Sequence, residues 1–335
     1  MFKGKTILIT GGTGSFGSNY AKYLLTNYDL KKLIIFSRDE RKQVQLEQEI
    51  GDPRVRYFLG DVRDIARLQR AFNGVDIVIH AAALKQVPTL EYNPFEAVKT
   101  NILGSQNVIE AAIDQKVKKV LLVSTDKAAQ PINLYGSTKL CAEKLFIDGN
   151  SYTPDGQTIL SCVRYGNVLG SRGSIVETLL KSKNAGVNQV SITDETMTRF
   201  WITLPQAFDL VTYALEHMVG GEVFIPQIPS MKLVDLFEVL VPGASRKVIG
   251  IRAGEKIHEM LLTSDEARRA VEVEKYFIVL PEQGKTFDVE KRFAAHLKGG
   301  RPVRAGFSFT SDTNDQWLTH EQLQALLNEV EQYIR

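Results

Sequence analysis

The sequence predicts an α/β fold, in which a doubly wound, mostly parallel sheet is followed by a smaller mixed α/β lobe. Short runs of branched apolar residues alternate with helical stretches through the first half of the chain, which is the pattern of repeated βαβ units. Those runs are apolar throughout rather than at every second residue, as in strands buried on both faces of a parallel sheet. We expect a first lobe over residues 1–165 and a second over 166–335, parts of which return to the core of the first.

The elements of the first lobe follow from this pattern in chain order. Strands are predicted at residues 6–10, 33–36, 56–59, 76–80 and 120–123. Helices are predicted at residues 18–28, 64–72 and 97–115. After about residue 166 the patterns become less regular, until a capped amphipathic helix starts at Thr319.

The composition excludes several classes of protein. The chain has 335 residues, a net charge of +2 and no long block of Lys or Arg, so no nucleic-acid partner is expected. No run approaches the roughly 20 apolar residues of a membrane span, and the amino terminus lacks a signal-peptide pattern. We therefore expect a soluble, cytoplasmic protein. Cys141 and Cys162 lie in apolar contexts without metal-ligand spacing, so we expect reduced thiols and no metal site.

The segment TGGTGSFG follows the first predicted strand and opens a helix. Glycines permit the tight turn there, and they let backbone N–H groups approach a pyrophosphate at the positive end of the helix. The pattern predicts a dinucleotide site rather than a plain turn, because it stands within a βαβ unit. Its expected contacts are Gly11, Thr13, Gly14, Ser15, Phe16 and Gly17.

The end of the second strand indicates which dinucleotide binds. An acidic residue there would repel a 2′-phosphate, whereas Ser37, Arg38 and Lys42 offer a hydroxyl and two cations. We therefore predict NADP rather than NAD. Asp39 leaves open the alternative that Arg38 and Lys42 form only a solvated helix face. Further cofactor contacts are expected at Asp39, Asp61, Val62, Ala82, Lys85 and Thr100.

Tyr135 and Lys139 are four residues apart, so on one helix they share a face. A cation at Lys139 is expected to lower the pKa of the phenol, so that it exchanges a proton with a substrate hydroxyl while hydride moves to a nicotinamide. A tyrosine and a lysine at this spacing also occur by chance on many surface helices, so the pair alone does not indicate catalysis. Behind a glycine-rich loop and after a strand that ends in Ser124 and Thr125, it predicts a catalytic pair that also contacts the cofactor.

These motifs resemble the extended short-chain dehydrogenase/reductase family, in which TGGTGSFG, HAAA, TNILGSQNVIEAA, YGSTK and RYGNVLGSRGS occur in the same order. Within it, AAALKQVPTLEYNP, MTRFWI, FIPQIPSMK and IRAGEKIHE closely resemble the inverting UDP-N-acetylglucosamine 4,6-dehydratases. The resemblance runs from residue 2 to about 280. It implies a Rossmann fold, NADP, UDP-N-acetylglucosamine as substrate, and the first step of pseudaminic acid or related surface-glycan biosynthesis.

The resemblance also assigns catalytic roles. Related dehydratases carry Asp-Glu where this chain has Asp126 and Lys127. Tyr135, helped by Lys139, would take the C4 hydroxyl proton, Lys127 would remove the C5 proton, and Asp126 would protonate the departing C6 hydroxyl. Reprotonation of C5 on the opposite face would give the β-L-arabino-4-hexulose. Burial beside Lys139 and the oxidised nicotinamide is expected to lower the pKa of Lys127, against the charge of Asp126.

Substrate contacts are implied in the same way. Arg199 and Arg252 would bind the diphosphate or the uridine, since guanidinium groups match phosphate oxygens. Glu255 would accept ribose hydroxyls, Asn167 would donate to phosphate or base, and Lys85 would reach the cofactor ribose or the sugar. The helices after Pro94 and Tyr135 resemble those that form subunit contacts in the family, so a homo-oligomer is expected, as a dimer, tetramer or hexamer.

Three other functions remain open. A UDP-hexose C4-epimerase shares the glycine loop and the tyrosine-lysine pair, but has no need of Asp126 and Lys127 for loss of water. A retaining 4,6-dehydratase shares every step except the face on which C5 is reprotonated. A non-enzymatic NADP-sensing scaffold would retain the loop without needing the catalytic side chains.

Overall fold

The predicted parallel sheet is present in the protein, seen in a computed structural model that describes residues 1–153, 156–171, 173–184, 186, 189–282 and 288–334. Six strands pair in parallel in the order β3-β2-β1-β4-β5-β6, which is the order of two joined βαβαβ halves. The fold class is therefore confirmed. The strands are β1 (Thr6–Thr10), β2 (Lys32–Ser37), β3 (Val55–Leu59), β4 (Ile77–His80), β5 (Lys119–Val123) and β6 (Ile159–Val163).

Helices cover both faces of this sheet, and short polar side chains begin several of them. Asp39 and Asp64 each accept a backbone N–H of the first turn, and Asn133 does the same at the helix that carries Tyr135. The predicted helix 97–115 is instead three pieces, because a π-helical segment (Val98–Leu103) separates α5 from α6. The helices are α1 (Ser15–Asn27), α2 (Glu40–Ile50), α3 (Ile65–Phe72), α4 (Val87–Tyr92), α5 (Pro94–Ala97), α6 (Gly104–Asp114) and α7 (Leu134–Asp148).

The rest of the chain extends this sheet and adds three small ones. β10 joins β6 in parallel, and β15, β14 and β16 continue from it antiparallel. The small sheets are β11-β9-β7, β12-β8 and β13-β17. These strands are β7 (Asn167–Val168), β8 (Gln189–Ile192), β9 (Thr198–Ile202), β10 (Val223–Pro226), β11 (Ser230–Lys232), β12 (Ser245–Val248), β13 (Met260–Leu262), β14 (Ala270–Val273), β15 (Tyr276–Val279), β16 (Arg301–Pro302) and β17 (Phe309–Thr310).

Within the described residues, the buried apolar side chains form two clusters. The larger surrounds the main sheet, and the smaller is built beyond residue 166, around Trp201, Leu236 and Leu323. The C-terminal helix begins after Thr319, whose hydroxyl accepts the backbone N–H of Gln322. The later helices are α8 (Ile175–Asn184), α9 (Leu204–His217), α10 (Leu233–Leu240), α11 (Ser264–Ala267), α12 (Val289–Arg292), α13 (Ala294–Gly299) and α14 (His320–Ile334).

The structure also describes the features behind two further expectations, that no segment spans a membrane and that both cysteines are reduced. Among the helices that the structure describes, none is both long and apolar enough to cross a lipid bilayer. Cys141 and Cys162 are free thiols, the second of them buried. Burial raises the pKa of Cys162 well above its ordinary value, so it is an unreactive part of the core.

Candidate active site

A cavity of about 760 Å³ opens where the parallel strands end, between the glycine-rich loop and lining residues that lie beyond residue 166. Ligands of open α/β sheets bind at this edge. Every residue predicted to contact the cofactor lines the cavity, and so do Lys127, Asn167 and Arg199. Asp126 lies behind the wall, fully buried, while Arg252 and Glu255 are not among the lining residues.

The glycine loop has the tight packing that a pyrophosphate site requires. Gly11 has a φ of +65°, and a Cβ on it would come within 2.8 Å of the Ala82 backbone. A Cβ on Gly17 would lie 2.6 Å from the Gly11 carbonyl oxygen. Gly14 is the N-cap residue of α1 and offers no side-chain cap to the first N–H groups of that helix, which is the end that favours an anion.

Unpaired polar groups support the same interpretation. Within the described part of the chain, the buried hydroxyls of Thr100 and Ser124 have no hydrogen-bond partner, although both residues line the cavity. Buried hydroxyls normally find a partner. Together with the glycine cradle, they fit a dinucleotide that supplies the missing acceptors and donors.

The far end of the cavity holds the residues expected at the ribose. The Ser37 hydroxyl accepts from the Gln43 amide at 3.1 Å. The Lys42 amine lies 3.0 Å from the Asp39 carboxylate, and Arg38 lies 3.6 Å from Asp61. Arg38 and Lys42 are about half exposed, so both cations stay accessible while paired.

At this end of the cavity, Asp39 and Asp61 also bind neighbouring groups of the protein. Asp39 accepts the Lys42 backbone N–H at the start of α2, and that bond with the lysine's charge lowers the pKa of the carboxyl. Asp61 binds the Arg63 guanidinium at 2.7 Å. Burial opposes ionisation of Asp61, but the hydrogen bonds and charge of Arg63 keep its pKa below the ordinary value. Both aspartates are therefore ionised members of the cavity wall.

Tyr135 and Lys139 lie one turn apart on α7, as predicted. The Lys139 amine donates to the Val123 carbonyl oxygen at 2.8 Å, which ties the helix to the end of β5. Burial lowers the pKa of Lys139 to about 8, against the charge of Glu143. Burial raises the pKa of Tyr135 to about 12, opposed by the charge of Lys127 and the Thr125 hydroxyl. The cation that opposes this rise is thus Lys127 and not, as expected, Lys139.

Asp126 and Lys127 stand on a short 3₁₀ turn (Asp126–Ala128) directly after β5. One oxygen of the Asp126 carboxylate, Oδ1, accepts from the Thr125 hydroxyl at 2.9 Å and from the Lys127 amine at 3.0 Å. The other, Oδ2, is buried and has no partner among the described residues. An unpaired oxygen on a fully buried carboxyl group is costly unless a ligand or a proton satisfies it.

The Lys127 amine has two further contacts, with Asn167 Oδ1 and with Glu259 Oε1, both at 3.3 Å. Burial disfavours the charged amine, but the charges of Asp126 and Glu259 outweigh it and raise the pKa of Lys127 above its ordinary value. The sequence predicted the opposite direction. The difference arises because the charge of Asp126 acts on the amine at 3.0 Å and the buried Glu259, for which no role was predicted, adds a second negative charge.

Only some of the residues expected to bind the substrate line the cavity. The Arg199 guanidinium is buried and donates to the carbonyl oxygens of Lys256 and Ile257 at 2.9 Å, so it braces that segment. Arg252 is 58% exposed and lies 3.8 Å from Glu255, away from the cavity lining. Lys85 lines the cavity, where burial and the charge of Lys127 lower its pKa.

The chain is similar to known proteins over most or all of its length. Residues 7–281 match the family described as "Polysaccharide biosynthesis protein". The chain is 50% identical over 99% of both chains to a "UDP-N-acetylglucosamine 4,6-dehydratase (inverting)" of Campylobacter jejuni subsp. jejuni serotype O:23/36 (strain 81-176). It is 40% identical to a "UDP-glucose 4-epimerase" of Rickettsia akari (strain Hartford), over 98% of this chain and 96% of the relative.

Solved structures extend the comparison. Pen from Bacillus thuringiensis superposes with a TM-score of 0.89 at 38% identity, over 99% of each chain. DesIV, a dTDP-glucose 4,6-dehydratase from Streptomyces venezuelae with NAD and TYD bound, has a TM-score of 0.70 at 19% identity, over 98% of this chain and 97% of that one. At this identity the second likeness shows a shared fold.

Proposed function

The chain belongs to the polysaccharide biosynthesis protein family of extended short-chain dehydrogenase/reductases, and from that premise we propose that it is an inverting, NADP-dependent UDP-N-acetylglucosamine 4,6-dehydratase. The identity of 50% over the full length to such an enzyme supports the proposal. The observation that carries it is the Asp126–Lys127 pair, 3.0 Å apart, in which Lys127 lines the same cavity as Tyr135 and Asp126 lies buried directly behind it.

Residues 1–165 would hold the cofactor, with the pyrophosphate at the glycine loop and the 2′-phosphate beside Ser37, Arg38 and Lys42. When bound, the nicotinamide supplies a hydride acceptor for C4 and a hydride donor for C6, so no external reductant is consumed. Thr100 and Ser124 would gain the hydrogen-bond partners that they lack. Residues 166–335 would mainly bind the UDP-sugar.

Tyr135 is the proposed base for the C4 hydroxyl. Its phenol must lose a proton first, and burial raises its pKa to about 12 even though the charge of Lys127 already opposes that rise. Loss of the proton therefore needs further positive charge near the phenol. Lys139, held on the Val123 carbonyl one turn along the same helix, fixes the helix face that carries the phenol.

Asp126 and Lys127 are the proposed pair for the loss of water. Transfer of one proton from Lys127 Nζ to Asp126 Oδ1, across 3.0 Å, turns the ion pair into a neutral amine and a carboxylic acid. The amine takes the C5 proton, the C5–C6 double bond forms, and the acid protonates the C6 hydroxyl, which leaves as water. The step restores the ion pair.

The final proposed step adds a proton to C5 on the face opposite to the one that lost it. The product is UDP-2-acetamido-2,6-dideoxy-β-L-arabino-4-hexulose. We propose that it feeds pseudaminic acid or a related surface glycan, and that the enzyme acts in the cytoplasm. A homo-oligomer is also proposed, because Phe95 and Leu103, 77% and 46% exposed, present apolar surface beside α6.

Proton NMR of UDP-N-acetylglucosamine with the purified protein in D₂O tests the proposal. A new C6 methyl signal, with deuterium at C5 and L-arabino couplings, is the expected result. Retention at C5 would make the enzyme a retaining dehydratase. Unchanged substrate with cofactor present would favour a non-enzymatic role.

A C4-epimerase is the second candidate, because relatives with that name are 40% identical over 98% of this chain. Inversion at C4 removes no water, so it gives Asp126 and Lys127 no chemical task. In the same NMR experiment it would yield a C4-inverted UDP-sugar without a C6 methyl. That result would replace the proposed dehydration.

A further inference from the structure

Glu259 is a buried acid that contacts the proposed base, and no role was predicted for it. Its side chain is 3% exposed, and Oε1 lies 3.3 Å from Lys127 Nζ. Its other oxygen, Oε2, is buried and has no hydrogen-bond partner in the parts of the chain that the structure describes. A carboxylate with this environment is costly to maintain, unless its charge and position serve the neighbouring amine.

The backbone around Glu259 is fixed from both sides. Its N–H donates to the Ser311 hydroxyl at 2.9 Å, and the Ser311 N–H donates to the Glu259 carbonyl oxygen at 2.8 Å. Arg199 binds the carbonyl oxygens of Lys256 and Ile257 just before it. The carboxylate therefore reaches Lys127 from the second lobe on a braced segment.

The contacts of Lys127 fit an ammonium group. That group has three N–H donors, and three acceptors surround it: Asp126 Oδ1, Glu259 Oε1 and Asn167 Oδ1. Other cations also act on this cluster. Arg199 Nε lies 3.8 Å from Glu259 Oε1, the charge of Lys256 interacts with Glu259, Asp126 and Lys127, and the charge of Lys85 interacts with Lys127. The amine is thus held in one place by partners from three separate parts of the chain.

We propose that Glu259 is a positioning residue for Lys127: its carboxylate holds the ammonium group beside Asp126 and controls how readily the amine form is released to act on C5. The inference rests on the proposed dehydration. Release needs only a proton shift, in which the Lys127 N–H bond breaks and an O–H bond forms on Asp126. Glu259 opposes that shift by stabilising the ammonium group, and it keeps the released amine in place.

Glu259→Gln tests this, because it removes the charge and keeps the shape. Glu259→Asp keeps the charge on a shorter arm, and Glu290→Gln is the matched control on the exposed side of α12. For each variant, kcat and KM for UDP-N-acetylglucosamine are measured across pH. Thermal unfolding establishes that each variant is folded.

For Glu259→Gln we expect a fall of about tenfold in kcat at its optimum, with KM within about twofold. The limb of the profile where kcat rises with pH should move to lower pH by about one unit, because an opposite charge at this distance shifts a pKa by one to three units. Glu259→Asp should restore the wild-type limb, and Glu290→Gln should match wild type throughout.

The inference is overturned if the rise of kcat with pH occurs at the same pH in Glu259→Gln as in the wild type. It is also overturned if Glu259→Asp loses as much kcat as Glu259→Gln and its rise of kcat does not return to the wild-type pH. Either result would reduce Glu259 to a structural residue. Failure of the proposed function is separate, because it would appear as absence of the C6-methyl product from the wild-type protein.

Discussion

A side chain on Gly136 would overlap the carbonyl oxygen of Lys127, so the helix that carries Tyr135 and the turn that carries Asp126 and Lys127 pack backbone against backbone. Gly136 is the residue directly after Tyr135, and its own N–H binds the Asn133 side chain at 2.8 Å. The phenol and the ion pair therefore have a fixed relative position that depends on the absence of a single Cβ.

Gly136→Ala should separate these groups. Alanine normally favours a helix over glycine by roughly 0.5–1 kcal/mol, but overpacking of this kind costs about 1–3 kcal/mol. We expect a lower unfolding temperature and a loss of turnover of more than tenfold. Gly299→Ala is the control, because a Cβ there meets open space. Wild-type turnover in Gly136→Ala would show that the turn shifts freely.

Lys127→Ala should abolish loss of water, because no other amine contacts Asp126 within the described residues. We expect neither a C6 methyl signal nor deuterium at C5 in D₂O, with NADP affinity unchanged within about twofold. Lys144→Ala, on an exposed position of α7, is the control. Normal dehydration by Lys127→Ala would refute its assignment as the base.

The double variant Arg38→Ala, Lys42→Ala should lose preference for NADP. Each cation is about half exposed and paired with a carboxylate, so each contact with a 2′-phosphate adds a modest charge-assisted bond. We expect the Kd for NADP⁺ to rise at least tenfold, with the Kd for NAD⁺ within about threefold, by calorimetry. Equal losses for both cofactors would contradict recognition of the 2′-phosphate here.

Low pH should reduce the free energy of unfolding, because the Glu266 carboxylate becomes protonated. Burial opposes ionisation of this carboxyl, but Arg164, which also binds Glu143, holds its pKa at about 2, below the ordinary 4.5. A lowered pKa stabilises the fold above pH 4.5, and that contribution is lost as pH falls from 4.5 to 2. Its size is about 3 kcal/mol.

Urea unfolding at pH 6 and at pH 3 measures this contribution. Glu266→Gln should lower the free energy of unfolding at pH 6 and flatten its pH dependence, since it leaves the buried Arg164 with fewer charged partners. Asp265→Asn, in an exposed pair with Arg268, should change it by less than about 1 kcal/mol. An unaltered pH dependence in Glu266→Gln would exclude the carboxyl as its source.

The parts of the candidate site formed by residues close together along the chain could be predicted from the sequence. Tyr135 and Lys139 share a helix face because they are four residues apart, and Asp126 and Lys127 are adjacent on one turn. The glycine loop needed only a strand before it and a helix after it. The parallel strands were recognisable because burial on both faces leaves a continuous apolar run.

The partners of those groups come from distant parts of the chain, and only the tertiary structure decided them. Glu259 and Asn167 reach Lys127 from parts of the chain beyond residue 166. Arg199 donates hydrogen bonds to the segment before Glu259 and does not only face the cavity. The direction of the Lys127 pKa followed from these contacts, because the interaction between charges depends on their distance and burial in space and not on their separation along the chain.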